Sequence, residues 1–171
     1  VGQPWSEPVD DFWSRALDRM AVPPSNLFPV VTVADGDSIY PYFNAGCLVV
    51  RPEGGLLTRW PEYFGKLYRD PELRRMCEQN TGRRIFLHQI ALTGAILNHI
   101  GRDQLVEFPE SINYPIFFEQ VFGAKRVFND LREVVTFRHE SYFRDPAPDW
   151  DERLLGPREK VAWMKAHLVG H

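Results

Sequence analysis

HQIALTGAILNHI, residues 88–100, is apolar on nearly every side once its ends are set aside. At 3.6 residues per turn such a helix has no face to offer to water. The stretch therefore predicts a deeply buried helix, around which the other elements must be arranged. Upstream, NTGRR (80–84) interrupts the pattern. Before it, residues 57–79 carry Leu57, Trp60, Phe64, Leu67 and Tyr68 on one face, with Pro61 and Pro71 each expected to start a separate helix. Residues 5–20 set Trp5, Val9, Phe12, Trp13, Ala16, Leu17 and Met20 on one broad helical face. Ser6 is the expected N-cap there, with Asp10 and Asp11 early in the helix. The prolines of AVPPSNLFP (21–29) end that helix.

Four stretches read as strands: VVTVA (30–34), CLVVR (47–51), QLVEFP (104–109) and EVVTFRH (133–139). Pro157 is expected to begin a last helix, with Val161, Ala162, Met164, Lys165 and Leu168 on its inner face. Alternating strands and helices predict an α/β architecture.

With 171 residues, 44% of them apolar and 25% charged, the chain is long enough for one domain with a substantial core. A net charge of −3 gives no basic footprint for nucleic acid over the chain as a whole. No apolar run approaches the length of a membrane span, and no secretory leader is visible, so a cytoplasmic location is expected. Cys47 and Cys77 form neither a disulfide framework nor a zinc motif. Glycine-rich phosphate loops of the dinucleotide and P-loop kinds are absent. The chain opens on Val1 rather than Met, and is expected to be part of a longer protein.

A few polar residues stand where chemistry is conceivable. Asp35-Gly36-Asp37 reads either as a polar turn or as two carboxylates spaced to chelate a divalent cation. In YPYFNAGCLVVRP (40–52), Asn44 offers a donor and an acceptor, and Gly46 allows positive φ or close ligand approach. The same Asn-Ala-Gly also suits a plain turn. His88 and Gln89 open the buried helix, where polar groups must find partners or face a cavity. His88 is a candidate general base or hydrogen-bond donor, or a satisfied histidine. His139 closes a strand beside Glu140, as a metal ligand or as a surface residue.

In order, PYFNAGCLVVRP, RWPEYFGKLY, FLHQIALTGAIL, LVEFPESINYP and VVTFRH resemble the later half of glycosyltransferases of the GT-A type, over residues 12–143. The resemblance implies a mixed-sheet fold like that of the nucleotide-diphospho-sugar transferases. The nucleotide-binding half is expected to lie outside this chain, with residues 1–156 as the acceptor and sugar part and 157–171 as a C-terminal helix. It implies transfer of a sugar from a nucleoside-diphosphate sugar to a hydroxyl acceptor. Asn44, Ala45, Gly46 and Asn113 would bind substrate, and His88 and Gln89 would act in catalysis. His139, with Asp35 and Asp37, would hold a divalent cation, Mn²⁺ or Mg²⁺. Ile90 follows Gln89 where related enzymes often carry an acid. A homodimer, or association with the missing half, is expected to cover the sheet edge that a half-domain leaves open. The rival reading is a non-catalytic module of the same fold that binds a glycan or a partner chain.

Overall fold

The computed structural model describes residues 2–32, 36–116, 130–139 and 142–169. The chain divides into two compact units, one of Val1–Thr32 and Asp37–Val106, the other of Val33–Gly36 and Glu107–His171. The described residues are mixed α/β and mostly helical, with two-stranded sheets only.

The first unit is organised around the helix that the sequence marks as buried. This helix, α4, runs over Thr81–His99, a full turn and more ahead of His88, because Asn80 caps it by accepting from Arg83 N–H at 3.0 Å. NTGRR is thus the start of the helix rather than a break before it. Leu87 and every residue from Gln89 to Leu97 are buried. Helices α1 (Asp11–Met20), α2 (Leu56–Tyr68) and α3 (Pro71–Glu78) pack around it. They bring Phe12, Trp13, Ala16, Leu17 and Met20, then Leu56, Tyr63 and Leu67, then Leu73 and Cys77. Gly94 lets α1 come close, since a Cβ there would run into the thioether of Met20.

Helix α1 starts at Asp11, not near Ser6. Asp10 is its cap, accepting from Trp13 N–H at 2.7 Å. The preceding residues are drawn off by β2 (Ser38–Ile39): Trp5 N–H donates to Ser38 O, and Tyr40 N–H to Gln3 O. Strand β2 pairs antiparallel with β1 (Val30–Val31), Val30 opposite Ile39. Pro71 starts α3 as expected, whereas Pro61 is the sixth residue of α2. The helix continues through it because Leu56, Tyr63 and Leu67 on either side are buried in the core. Residues 47–51 form no strand, since no described segment pairs with them in a sheet. Leu48 and Val50 pack on the core while Val49 is 81% exposed. Residues 105–109 likewise form no strand, after a 3₁₀ turn at Arg102–Gln104.

The second unit has its own small core of Ile116, Leu131, Phe143, Trp150, Val161 and Met164. Strand β3 (Tyr114–Pro115) runs parallel to β4 (Phe137–Arg138), which is all of the expected 133–139 strand that pairs. Helices α5 (Trp150–Arg153) and α6 (Arg158–His167) follow, tied by Lys165 Nζ to Asp151 Oδ2 at 2.9 Å. On α6, Val161 and Met164 face inward, while Ala162 and Lys165 are exposed.

One charge holds the helices of the first unit together. Asp70, at the corner between α2 and α3, has a fully buried carboxylate. Arg15 grips it through Nε at 2.7 Å and Nη2 at 2.9 Å, Arg19 adds a further bond, and the N–H groups of Glu72 and Leu73 donate at 3.0 Å. Hydrogen bonding from Arg15, then Leu73 N–H and Arg19, outweighs burial and holds the carboxyl well below the usual carboxylate range. Removing one member of a buried pair costs about 3–5 kcal/mol. Asp70→Ala should fall in that range, and Asp70→Asn at its lower edge, because the amide still caps α3 and both arginines reach water. The folded pKa is depressed, so this stabilisation is complete above the unfolded value near 4 and is lost as pH falls toward the folded one. Denaturant melts at pH 7 and pH 3 should show the acid loss in the parent, and less of it in Asp70→Asn.

Candidate functional site

The Asn-Ala-Gly loop is held against α4 by two hydrogen bonds. Tyr42 donates its hydroxyl to Gln89 Oε1 at 2.5 Å, and Phe43 N–H donates to Thr93 Oγ1 at 3.0 Å. Thr93 passes its own proton back to Gln89 O at 2.9 Å, so its fully buried hydroxyl is satisfied on both sides. Tyr42 also meets Trp13 edge-on, at 6.2 Å between ring centroids. The loop that follows is therefore rigidly placed at one point on the buried helix.

Within the loop, Asn44 Oδ1 accepts from Gly46 N–H at 2.6 Å, closing a short turn. Asn44 is exposed, and its amide nitrogen bonds to no described residue. Gly46 does not occupy the left-handed region. Ala45 packs partly on the core. The segment Asn44–Gly46 is thus both a turn and a surface that presents two amide protons.

His88 and Gln89 are neighbours in sequence, and a step of one residue on a helix turns a side chain by about 100°. Gln89 meets the loop, whereas His88 meets α2: Trp60 stacks on its ring at 6.4 Å and donates Nε1–H to His88 O at 2.6 Å. His88 Nδ1 lies 2.9 Å from Ile85 O. A carbonyl only accepts, so Nδ1 carries a proton, and in the neutral ring Nε2 has the lone pair.

The remaining candidates stand apart from this cluster. Asp37 is exposed in the β1–β2 turn, exchanging backbone and hydroxyl bonds with Thr32. Asp35 lies outside the described residues. Asn113 and His139 belong to the second unit. Asn113 has φ 60° and gives its N–H to Thr136 Oγ1 at 2.9 Å, and His139 is exposed, with its ring tilted on Phe143. Among the described residues no group of three His, Cys, Asp or Glu could hold a metal ion.

The family model for the Rhodobacterales glycosyltransferase domain matches residues 3–99, more than half of the chain. The chain belongs to that family. The match ends at His99, the last residue of α4, and apart from residues 33–36 it covers residues of the first unit. This bears out a glycosyltransferase family. Comparison with curated proteins and with solved structures gave no match. No described helix is long and apolar enough to cross a membrane.

The sequence reading missed Thr93 and Tyr42 as a latch. A signal was present: Gln89 and Thr93 are the polar pair at i and i+4 on an otherwise apolar helix, which puts them on one face. It also missed a second polar cluster, where Asn98 Nδ2 donates to Tyr63 Oη at 2.9 Å and to Met20 O at 2.8 Å. Tyr63 Oη in turn lies 3.0 Å from His99 Nε2. Burial, then the charges of Arg59 and Lys66, push the His99 pKa down. The neutral imidazole is thus favoured, with Nε2 accepting from the phenol.

The latch makes a double-mutant prediction. Tyr42→Phe strands Gln89 Oε1 in a buried position and should cost about 1–3 kcal/mol. Combined with Gln89→Leu, which removes the stranded group, the loss should be less than additive by about 0.5 kcal/mol or more. Chemical denaturation of the four proteins measures it, and additive losses would show that the two side chains do not depend on each other.

Proposed function

We propose that the chain is the sugar-handling part of a GT-A-type glycosyltransferase that moves a sugar from a nucleoside-diphosphate donor to a hydroxyl acceptor. The observation that carries the reading is the rigid Asn44–Gly46 turn, latched to Gln89 and Thr93 inside the region that the glycosyltransferase family model matches. A sugar ring presents hydroxyls that both donate and accept. Asn44 Nδ2 supplies donors for such a hydroxyl, and its Oδ1 is already committed to the turn. His88 Nε2, left with a lone pair by the bond from Nδ1–H to Ile85 O, suits the acceptor's proton. In that step the bond from the sugar's anomeric carbon to the diphosphate oxygen breaks, and the diphosphate leaves with its electrons. The acceptor oxygen forms the new bond and gives its proton to His88.

The test turns on the two halves of the Asn44 side chain. Asn44→Asp keeps the oxygen that accepts from Gly46 N–H and loses the donors. We expect unchanged melting and about tenfold weaker binding of nucleoside-diphosphate sugars in calorimetry. Where transfer is followed, His88→Ala should lower kcat by about 10²–10⁴. If Asn44→Asp binds every donor as the parent does, the turn is only a turn and the reading falls.

A further inference from the structure

The second unit carries an open cleft of about 280 Å³ that the Asn44 loop has no part in. Leu131, Phe137 and Met164 line it together with Glu159, Lys160 and Trp163. Trp163 is 54% exposed although it is the largest apolar side chain on α6. The indole has a fixed neighbour: His167 stacks on it at 4.7 Å and 15°, and is itself anchored through Nδ1 to Trp163 O at 2.8 Å. Glu159 and Lys160, on the first turn of α6, are exposed and make no ion pair with a described residue.

From these features we infer that the cleft is a saccharide-binding subsite, with Trp163 as its platform. An indole face is electron-rich and attracts the polarised C–H groups on the flat side of a pyranose ring. The hydroxyls around that ring then need an acceptor and a donor at its edge, which Glu159 and Lys160 supply. The volume suits one sugar residue rather than a long ligand, so the subsite grips a single unit of a glycan, as small sites with a few placed polar groups do. The inference rests on the reading that this family acts on sugars, but on none of the residues that carry that reading.

The probe is a panel of neutral tetrasaccharides (maltotetraose, cellotetraose and chitotetraose), followed by calorimetry and by ligand-observed NMR on the full chain. At least one should bind saturably to the parent. Trp163→Ala should weaken it about tenfold or more, Trp163→Phe should keep most of it, and Glu159→Gln should fall between. Thermal melts of the variants should stay near the parent's, since the ring is half exposed. No binding by the parent, or binding that Trp163→Ala leaves intact, overturns the assignment. So does a parent dimer that Trp163→Ala dissociates in sedimentation while no saccharide binds, for the cleft would then belong to a second copy. Asn44→Asp run alongside separates the two proposals. If it weakens donor binding while Trp163→Ala changes nothing, the cleft falls and the loop stands. If the reverse is seen, the loop falls and the cleft stands.

Discussion

A buried carboxylate with five donors from four residues around it sets the packing of the first unit. Asp70 terminates the link between α2 and α3, and its oxygens are met by Arg15 and Arg19 from α1 and by two N–H groups of α3. The two arginines stand four residues apart, one turn of the same helix, so only one rotation of α1 brings both to Asp70. That same rotation turns Phe12, Trp13, Ala16, Leu17 and Met20 onto α4. Hydrophobic burial is indifferent to small rotations and slides. The ion pair is not, because a misdocked α1 would leave a carboxylate buried without counter-charge, at a cost of several kcal/mol. Its value lies as much in excluding wrong packings as in net stability. A weaker pair, Arg83 to Asp10 at 3.0 Å, with Arg83 over the Phe12 ring, fixes the other end of α1 against the start of α4.

The same principle operates at the loop. Helix α4 is buried almost everywhere, so each polar side chain on it must be satisfied from elsewhere in the fold. Gln89 and Thr93 are satisfied by Tyr42 and Phe43. A polar residue in the core thereby becomes an address for one particular loop. The loop's next residues, Asn44 to Gly46, inherit a fixed position without needing a strand behind them. This is the link between the core and the proposed chemistry, since a donor held in place costs little further ordering when a ligand arrives.

Periodicity made the helices legible. The buried run of 88–100 and the apolar face of 5–20 were visible because 3.6-residue spacing is written directly in residue type. Their starts were not. Asn80 and Asp10 cap through hydrogen bonds whose strength is decided by what the preceding residues do, and residues 3–5 are claimed by β2. Strands fared worse: CLVVR has the composition of one and the alternation of one, but strands exist only in pairs, and no described strand pairs with it. Pro61 shows core contacts overriding a local rule. At the site, Asn44 and Gln89 could be picked out by type, but their connection through Tyr42 and Thr93 joins residues about fifty positions apart, which no local pattern records.

The candidates divide between the units in a way that bears on the chemistry. Asn113 and His139 sit in the second unit, where Asn113 bends the backbone into β3 and His139 lies exposed after β4. The family match, by contrast, ends with α4. Groups with unspent hydrogen-bonding capacity therefore have to be sought first in the matched unit. Asn44 Nδ2 is a donor with no described partner, and His88 Nε2 an acceptor with none. Neither nitrogen is needed by the fold, because the turn uses Asn44 Oδ1 and the helix uses His88 Nδ1. A side chain whose structural duty is done by one atom leaves the other for a ligand. Elements of the core hold both residues: Asn44 follows the Tyr42–Phe43 latch, and His88 is clamped by Trp60. Placement of that kind lowers the ordering cost that a ligand contact at either residue would carry.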